Sequence, residues 1–180
     1  METKLLIAVI GPTLGFFLWF GKRLFDDWRA ARRARRDKRN LIRALYAEID
    51  FNTRDMERFL AKSVSSEKLR ATLEAYPKLI PHITDARHTE IYRTRIAEVH
   101  NVADGALFAL VDFYGTLERI RVQVEGVNLP SYGTLTLEGR INAVEVIRRT
   151  AGTAQARGVS LLQRFERDFP DLGLHRQQPD

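Results

Sequence analysis

The chain has 180 residues, enough for one domain of ordinary size beside a short apolar segment. It contains no cysteine, which excludes disulfide staples, thiolate nucleophiles, zinc ribbons and iron–sulfur clusters. Of its 29 basic and 23 acidic residues, nine and three fall between residues 22 and 39, so that segment carries the whole net charge of +6 and leaves 20 of each sign elsewhere. The rest of the chain has no overall field to attract a polyanion, which removes the compositional argument for a nucleic-acid protein.

Residues 5–20 read LLIAVIGPTLGFFLWF, a run without an ionisable group between Lys4 and the pair Lys22 and Arg23. At ~1.5 Å per residue the interval from Lys4 to Lys22 covers roughly 26 Å, slightly short of a ~30 Å hydrocarbon core, and basic side chains at its ends can snorkel to make up the difference. The sequence therefore predicts a transmembrane anchor over 1–21. No small-residue cleavage site follows Trp19 and Phe20, which disfavours a removable leader, and only Thr13 is polar, which disfavours an interfacial helix. Gly11 and Pro12 lie in the middle of the run, and Gly11 with Gly15 makes a GxxxG spacing that permits close helix approach. The excess of Lys and Arg on the C-terminal side predicts a single-pass membrane protein with a short N-terminus outside and the C-terminal domain in the cytoplasm. Trp19, Phe25 and Trp28 are the expected interfacial anchors.

Residues 22–40 form a predicted basic juxtamembrane helix. Lys22, Arg23, Arg29, Arg32, Arg33, Arg35, Arg36, Lys38 and Arg39 recur at successive helical angles, which reads as a helix basic all round, suited to anionic lipid headgroups. Nucleic-acid binding through the same arginines is the weaker reading, because no aromatic platform or recognition fold accompanies them.

Over 41–169 the spacing of apolar residues is helical throughout, with no period-two alternation. Ile42, Leu45, Ile49, Asn52, Met56 and Phe59 form the first seam, and no proline or glycine interrupts the chain between Gly21 and Lys62, so the anchor and this helix can be continuous. Asn52 lies on that seam, where a buried amide can fix register. Ser63 to Ser66 offers an N-cap for a short helix through Leu69, Leu73 and Tyr76, ended by Pro77. Thr84 or Asp85 is read as the start of a helix with Ile91, Tyr92, Ile96 and Val99 on its apolar face. Asn101 to Asp104 is a break, after which Leu107, Leu110, Val111, Tyr114, Leu117, Ile120 and Val124 make a stripe. Gly126 to Gly133 reads as the clearest loop. The last helix runs from Thr134 or Thr136 to Phe169 with Ile141, Val144, Ile147, Ala151, Ala154, Gly158, Leu161 and Phe165 on one side, and its small residues at 152–158 allow either close packing, self-association or a bend. Residues 170–180 are expected to be a flexible tail. The predicted fold is all-α, an N-terminal transmembrane helix continuing into an antiparallel bundle of about four helices.

Chemistry is sparse. His82, His88, His100 and His175 show no paired metal-ligand spacing, and there is no HExxH, GxSxG, Walker or GxGxxG motif. Glu48, Asp112 and Glu145 at seam edges could converge as in a di-iron bundle, but no histidine follows a glutamate by three residues. No catalytic residue, metal or cofactor is therefore assigned. His88, one turn before Ile91 and Tyr92, is expected as a hydrogen-bonded structural histidine.

The short apolar run, basic stop and following RALYAEIDFN resemble uncharacterised bacterial single-pass membrane proteins with a helical cytoplasmic domain, in which an A-x-x-x-E-I-x-x-N stretch follows the anchor. Here that stretch is Ala44, Glu48, Ile49 and Asn52. The resemblance implies a place in the bacterial inner (cytoplasmic) membrane and no activity. The function expected is a noncatalytic membrane-tethered interaction or scaffold module that self-associates or docks a protein partner. A membrane-acting effector or pore component, suggested by Gly11, Pro12 and Gly15, and a membrane-bound nucleic-acid binder are the alternatives.

Overall fold

The computed structural model describes the backbone over 2–83, 87–99 and 104–176, and side chains from Trp19 onward within those ranges except Asp104. Among the described residues all regular structure is helical: α1 Glu2–Lys62, α2 Ser66–Ala75, α3 Glu90–Thr94, α4 Ile96–Val99, α5 Asp104–Asn128 and α6 Leu137–Asp168, with 3-10 turns at Pro130–Thr134 and Pro170–Leu172. The chain divides into two units, Met1–Asn40 and Leu41–Asp180.

Among the described residues no helix is long and apolar enough to cross a membrane. This overturns the placement as a single-pass inner-membrane protein. The part of α1 whose side chains are described begins at Trp19 and carries Lys22, Arg23, Asp26, Asp27 and Arg29 within its first three turns, far too much charge for a hydrocarbon core. The side chains of Gly11, Pro12 and Gly15 lie outside the described residues.

The second unit is built on three long helices. From Leu41 onward α1 buries Ile42, Leu45, Ile49, Asn52 and Met56, the seam expected from their spacing. α6 runs antiparallel to it, since Tyr46 meets Glu166, Thr53 meets Gly158 and Glu57 meets Gln155. α5 is likewise antiparallel to α6, with Asp112 against Arg157 and Gly105 against Arg164, so α1 and α5 run parallel to each other. The three helices come closest at Gly158. A Cβ there would overlap Thr53 Oγ1 and lie 3.0 Å from Phe113 Cε2, so Gly158 serves close packing, whereas Gly152 is open, and α6 is helical through both. α2 extends the row of α1 along α6, burying Leu69 and Leu73 against Ile141.

Caps and breaks follow local chemistry. Ser65 accepts from the Lys68 N–H at 3.3 Å to start α2, which ends just before Pro77, as the restriction on pre-proline residues requires. Thr136 accepts from the Gly139 N–H at 3.1 Å to start α6.

Four expectations need correction. Thr84 and Asp85 lie outside the described residues, and helix is found only from Glu90, in two short pieces broken at Arg95, with Ile96 exposed. The apolar stripe of α5 is completed by Phe113, fully buried, whereas Val111 points outward. Gly126 is inside α5, which continues to Asn128 because Val124 and Val127 are buried beyond the reach of a loop, an apolar gain that outweighs the ~1 kcal/mol helix cost of glycine. Finally, 170–176 is not a loose tail: Leu172 and Leu174 join the core, and Arg176 donates to Asp50 at 3.3 Å and Glu57 at 3.0 Å.

Candidate functional site

The first unit supplies the candidate surface. Trp19, Phe20, Leu24, Phe25 and Trp28 are all exposed, the two tryptophans more than half. Helical i, i+4 spacing brings a guanidinium over a ring three times: Arg29 lies 4.1 Å from the Phe25 centroid, Arg32 5.4 Å from Trp28 and Arg23 6.0 Å from Trp19. Phe25 and Trp28 are themselves stacked, 6.1 Å apart and 18° from parallel. Such cation–π contacts contribute about 0.5–1 kcal/mol each at exposed sites and restrict the arginine rotamers.

The nine basic residues reach every side of the helix, but unevenly. At ~100° per residue, Lys22, Arg29, Arg32, Arg33, Arg35, Arg36 and Arg39 share an arc of about 160° with Phe25 and Trp28, and no acidic residue enters it. The remaining arc holds Asp26, Asp27 and Asp37 with Trp19, Phe20, Leu24, Ala30, Ala31, Ala34, Arg23 and Lys38. Phe25, Trp28, Arg29, Arg32, Arg33 and Arg36 line a shallow hollow on the basic side. Among the described residues no ion pair joins Arg29, Arg32, Arg33 or Arg36 to a carboxylate.

In the second unit the polar residues of α1 form a buried clamp. Glu48 accepts from the N–H of Ile91 at 2.6 Å, the N–H of Tyr92 at 3.0 Å and the hydroxyl of Tyr114 at 2.6 Å. The two amides belong to the first turn of α3, whose own cap residue Thr89 makes no side-chain bond, so Glu48 caps that helix from across the core. Asn52 accepts from the His88 N–H at 2.7 Å and donates to the His88 carbonyl at 2.5 Å and the Glu48 carbonyl at 2.8 Å. Both backbone groups of His88 are thus held by Asn52, two residues before α3 begins at Glu90. The His88 ring stands edge-on to Phe51 at 4.1 Å. Burial and then the hydrogen bond to Glu48 push the Tyr114 hydroxyl far above its ordinary pKa, and burial followed by the bond to Glu166 does the same to Tyr46. Tyr92 and Tyr114 stack 3.9 Å apart, nearly parallel.

The three seam carboxylates do not converge. Glu48 caps α3, Asp112 pairs with Arg157 at 3.0 Å, and Glu145 accepts from Ser66 at 2.7 Å. Among the described residues no group of three or more His, Asp and Glu is placed to hold a metal ion, and His100 lies outside them. Arg140 is a buried residue that its sequence position does not announce. It donates to the carbonyls of Pro77, at 2.6 Å, and Leu79 and lies over the Tyr132 ring, pinning the turn after α2. An arginine beside Ile141 at the start of a helix looks like surface, and only the carbonyls left unpaired after Pro77 explain it.

In comparisons with known proteins, no family model, no curated protein and no solved structure matches this chain.

Proposed function

We propose that this protein is a noncatalytic helical interaction module that docks on anionic lipid headgroups through the one-sided arginine–aromatic face of α1. The carrying observation is the segregation of seven basic residues, Phe25 and Trp28 onto one arc with every aspartate of the segment on the other. A face of this kind meets both demands of a lipid surface. Its cations attract headgroups by ~1 kcal/mol each close to the membrane, and its exposed rings favour the headgroup level. Surface docking of this kind requires no spanning helix. The clamp of Glu48 and Asn52 gives the second unit its shape and does not enter the docking step.

Cosedimentation of the full chain with vesicles tests the reading. Binding is expected to phosphatidylcholine vesicles doped with phosphatidylserine and not to phosphatidylcholine alone, falling with added salt. The triple variant R29Q/R32Q/R36Q should weaken it by about two orders of magnitude, three cations at ~1 kcal/mol each. Equal binding to neutral vesicles, or an unaffected triple variant, would sink the proposal. Tighter binding to duplex DNA than to the anionic vesicles at equal salt would assign the arginines to nucleic acid instead.

A further inference from the structure

α5 exposes large apolar side chains interleaved with charge on the side turned away from the core. Leu110, Phe113, Leu117, Ile120 and Val124 are buried against the bundle, while Phe108, 83 % exposed, Val111 and Val122 stand on the outside with Gly115 among them. Exposed apolar side chains lined up on one side of a helix and flanked by charge have the composition of an interface patch. We propose that this outer face of α5 pairs two copies of the chain antiparallel, with the two-fold axis passing beside Gly115.

The order of residues is self-complementary about that glycine. Phe108 precedes it by seven positions and Val122 follows by seven; Val111 precedes by four and Arg119 follows by four. An antiparallel pairing centred there sets Phe108 against Val122 of the second copy, and lays the aliphatic stem of Arg119 along the second copy's Val111. Such an arrangement is isologous, the same patch used twice. Gly115 has nothing within 4 Å of where a Cβ would stand, so the point of closest approach is open, and a shallow hollow follows the seam along Phe108, Val111, Asp112, Gly115 and Arg119.

Charge selects the direction. In a parallel pair Arg119 would face Arg119 and Asp112 would face Asp112. In the antiparallel pair Arg119 of each copy comes beside Asp112 of the other. Asp112 bonds Arg157 at 3.0 Å but is still 56 % exposed at its side chain, leaving room for a second guanidinium. Glu118, the other acid on this face, is engaged by Arg87 and Arg121, which neutralises it.

The absence of cysteine from the chain makes cross-linking specific to introduced thiols. Under mild oxidation G115C should form a disulfide-linked dimer, since facing Cα atoms of two closely packed helices fall within the roughly 4.4–6.8 Å a disulfide needs. F108C alone should form no cross-link, because its two copies lie about 21 Å apart along an antiparallel pair, while F108C/V122C should cross-link. F108D, altering a side chain outside the core, should leave the urea midpoint unchanged when measured well below the dimer dissociation constant and raise that constant at least ~10-fold in sedimentation equilibrium. The proposal is overturned if F108C alone cross-links as well as G115C, which marks a parallel pair. It is overturned equally if G115C and F108C/V122C cross-link no better than S131C on the exposed 3-10 turn, or if the unmodified chain sediments as a monomer up to ~100 µM.

Discussion

In the first unit Arg29 and Arg32 lie over Phe25 and Trp28 and meet no carboxylate among the described residues, whereas in the second unit Arg121 is held between Glu118 and Glu125, Arg176 between Asp50 and Glu57, and Arg70 by both oxygens of Glu138. The side chain is the same and the neighbours differ. An arginine surrounded by acids has spent its donors within the fold, while one stacked on an exposed ring keeps its guanidinium edge open to an outside acceptor. A count of basic residues cannot separate these uses; the position of the nearest carboxylate can.

Perturbing each unit separately should keep the two uses apart. The largest effect is expected from Glu48→Ala, which strands two amides and the Tyr114 hydroxyl in the core and should cost about 3–5 kcal/mol in urea unfolding. A loss under ~1 kcal/mol would remove Glu48 from its capping role. The vesicle affinity per folded molecule should not change.

Next in size is Gly158→Ala. Its new methyl must displace Thr53 and Phe113, an overpacking cost of about 1–3 kcal/mol. Adding Thr53→Ala should recover part of that loss, and strict additivity in the double-mutant cycle would show that the two sites do not touch.

Alkaline titration probes the buried hydroxyls. Tyr114 and Tyr46 have raised pKa values in the fold, so their contribution to stability is complete below the unfolded tyrosine value of about 10 and is lost as pH rises above it toward the folded values. Unfolding free energy should therefore fall above about pH 10, and Tyr114→Phe should flatten that fall. An unchanged slope in the variant would show that Tyr114 ionises normally.

The smallest stability effect belongs to the first unit. R29Q/R32Q/R36Q, which weakens vesicle binding, should alter urea unfolding of the second unit by less than ~0.5 kcal/mol, because the contacts it removes are cation–π contacts local to the first unit. A larger shift would mean that these arginines are structural after all, and the contrast between the units would dissolve.

The helical class, the seam of α1 and the start of α6 at Thr136 were legible because each depends on local periodicity or a cap within three residues. Glu48 and Asn52 were visible as unusual residues on an apolar seam, and the stretch that carries the resemblance contains both. Their partners were not visible, because Ile91, Tyr92, His88 and Tyr114 lie 36 to 66 residues away. Phe113 escaped the stripe of α5 because Val111 satisfied the same spacing, and only the neighbouring helices decide which flank turns inward. The one-sidedness of the basic face was available from the angles of Asp26, Asp27 and Asp37, but counting arginines alone conceals it. The apolar run at 5–20 pointed to a spanning helix through hydropathy, and among the described residues no helix meets that requirement.

Glu48 also bears on how the molecule opens. A helix of five residues has no standing of its own in water, where nucleation is unfavourable by a factor of roughly a thousand. Yet the Ile91 and Tyr92 amides are bonded to a carboxylate rooted in α1 and held in turn by the Tyr114 hydroxyl of α5. Their hydrogen exchange should therefore be slower than that of a free helix end, and this short surface segment should keep time with the core.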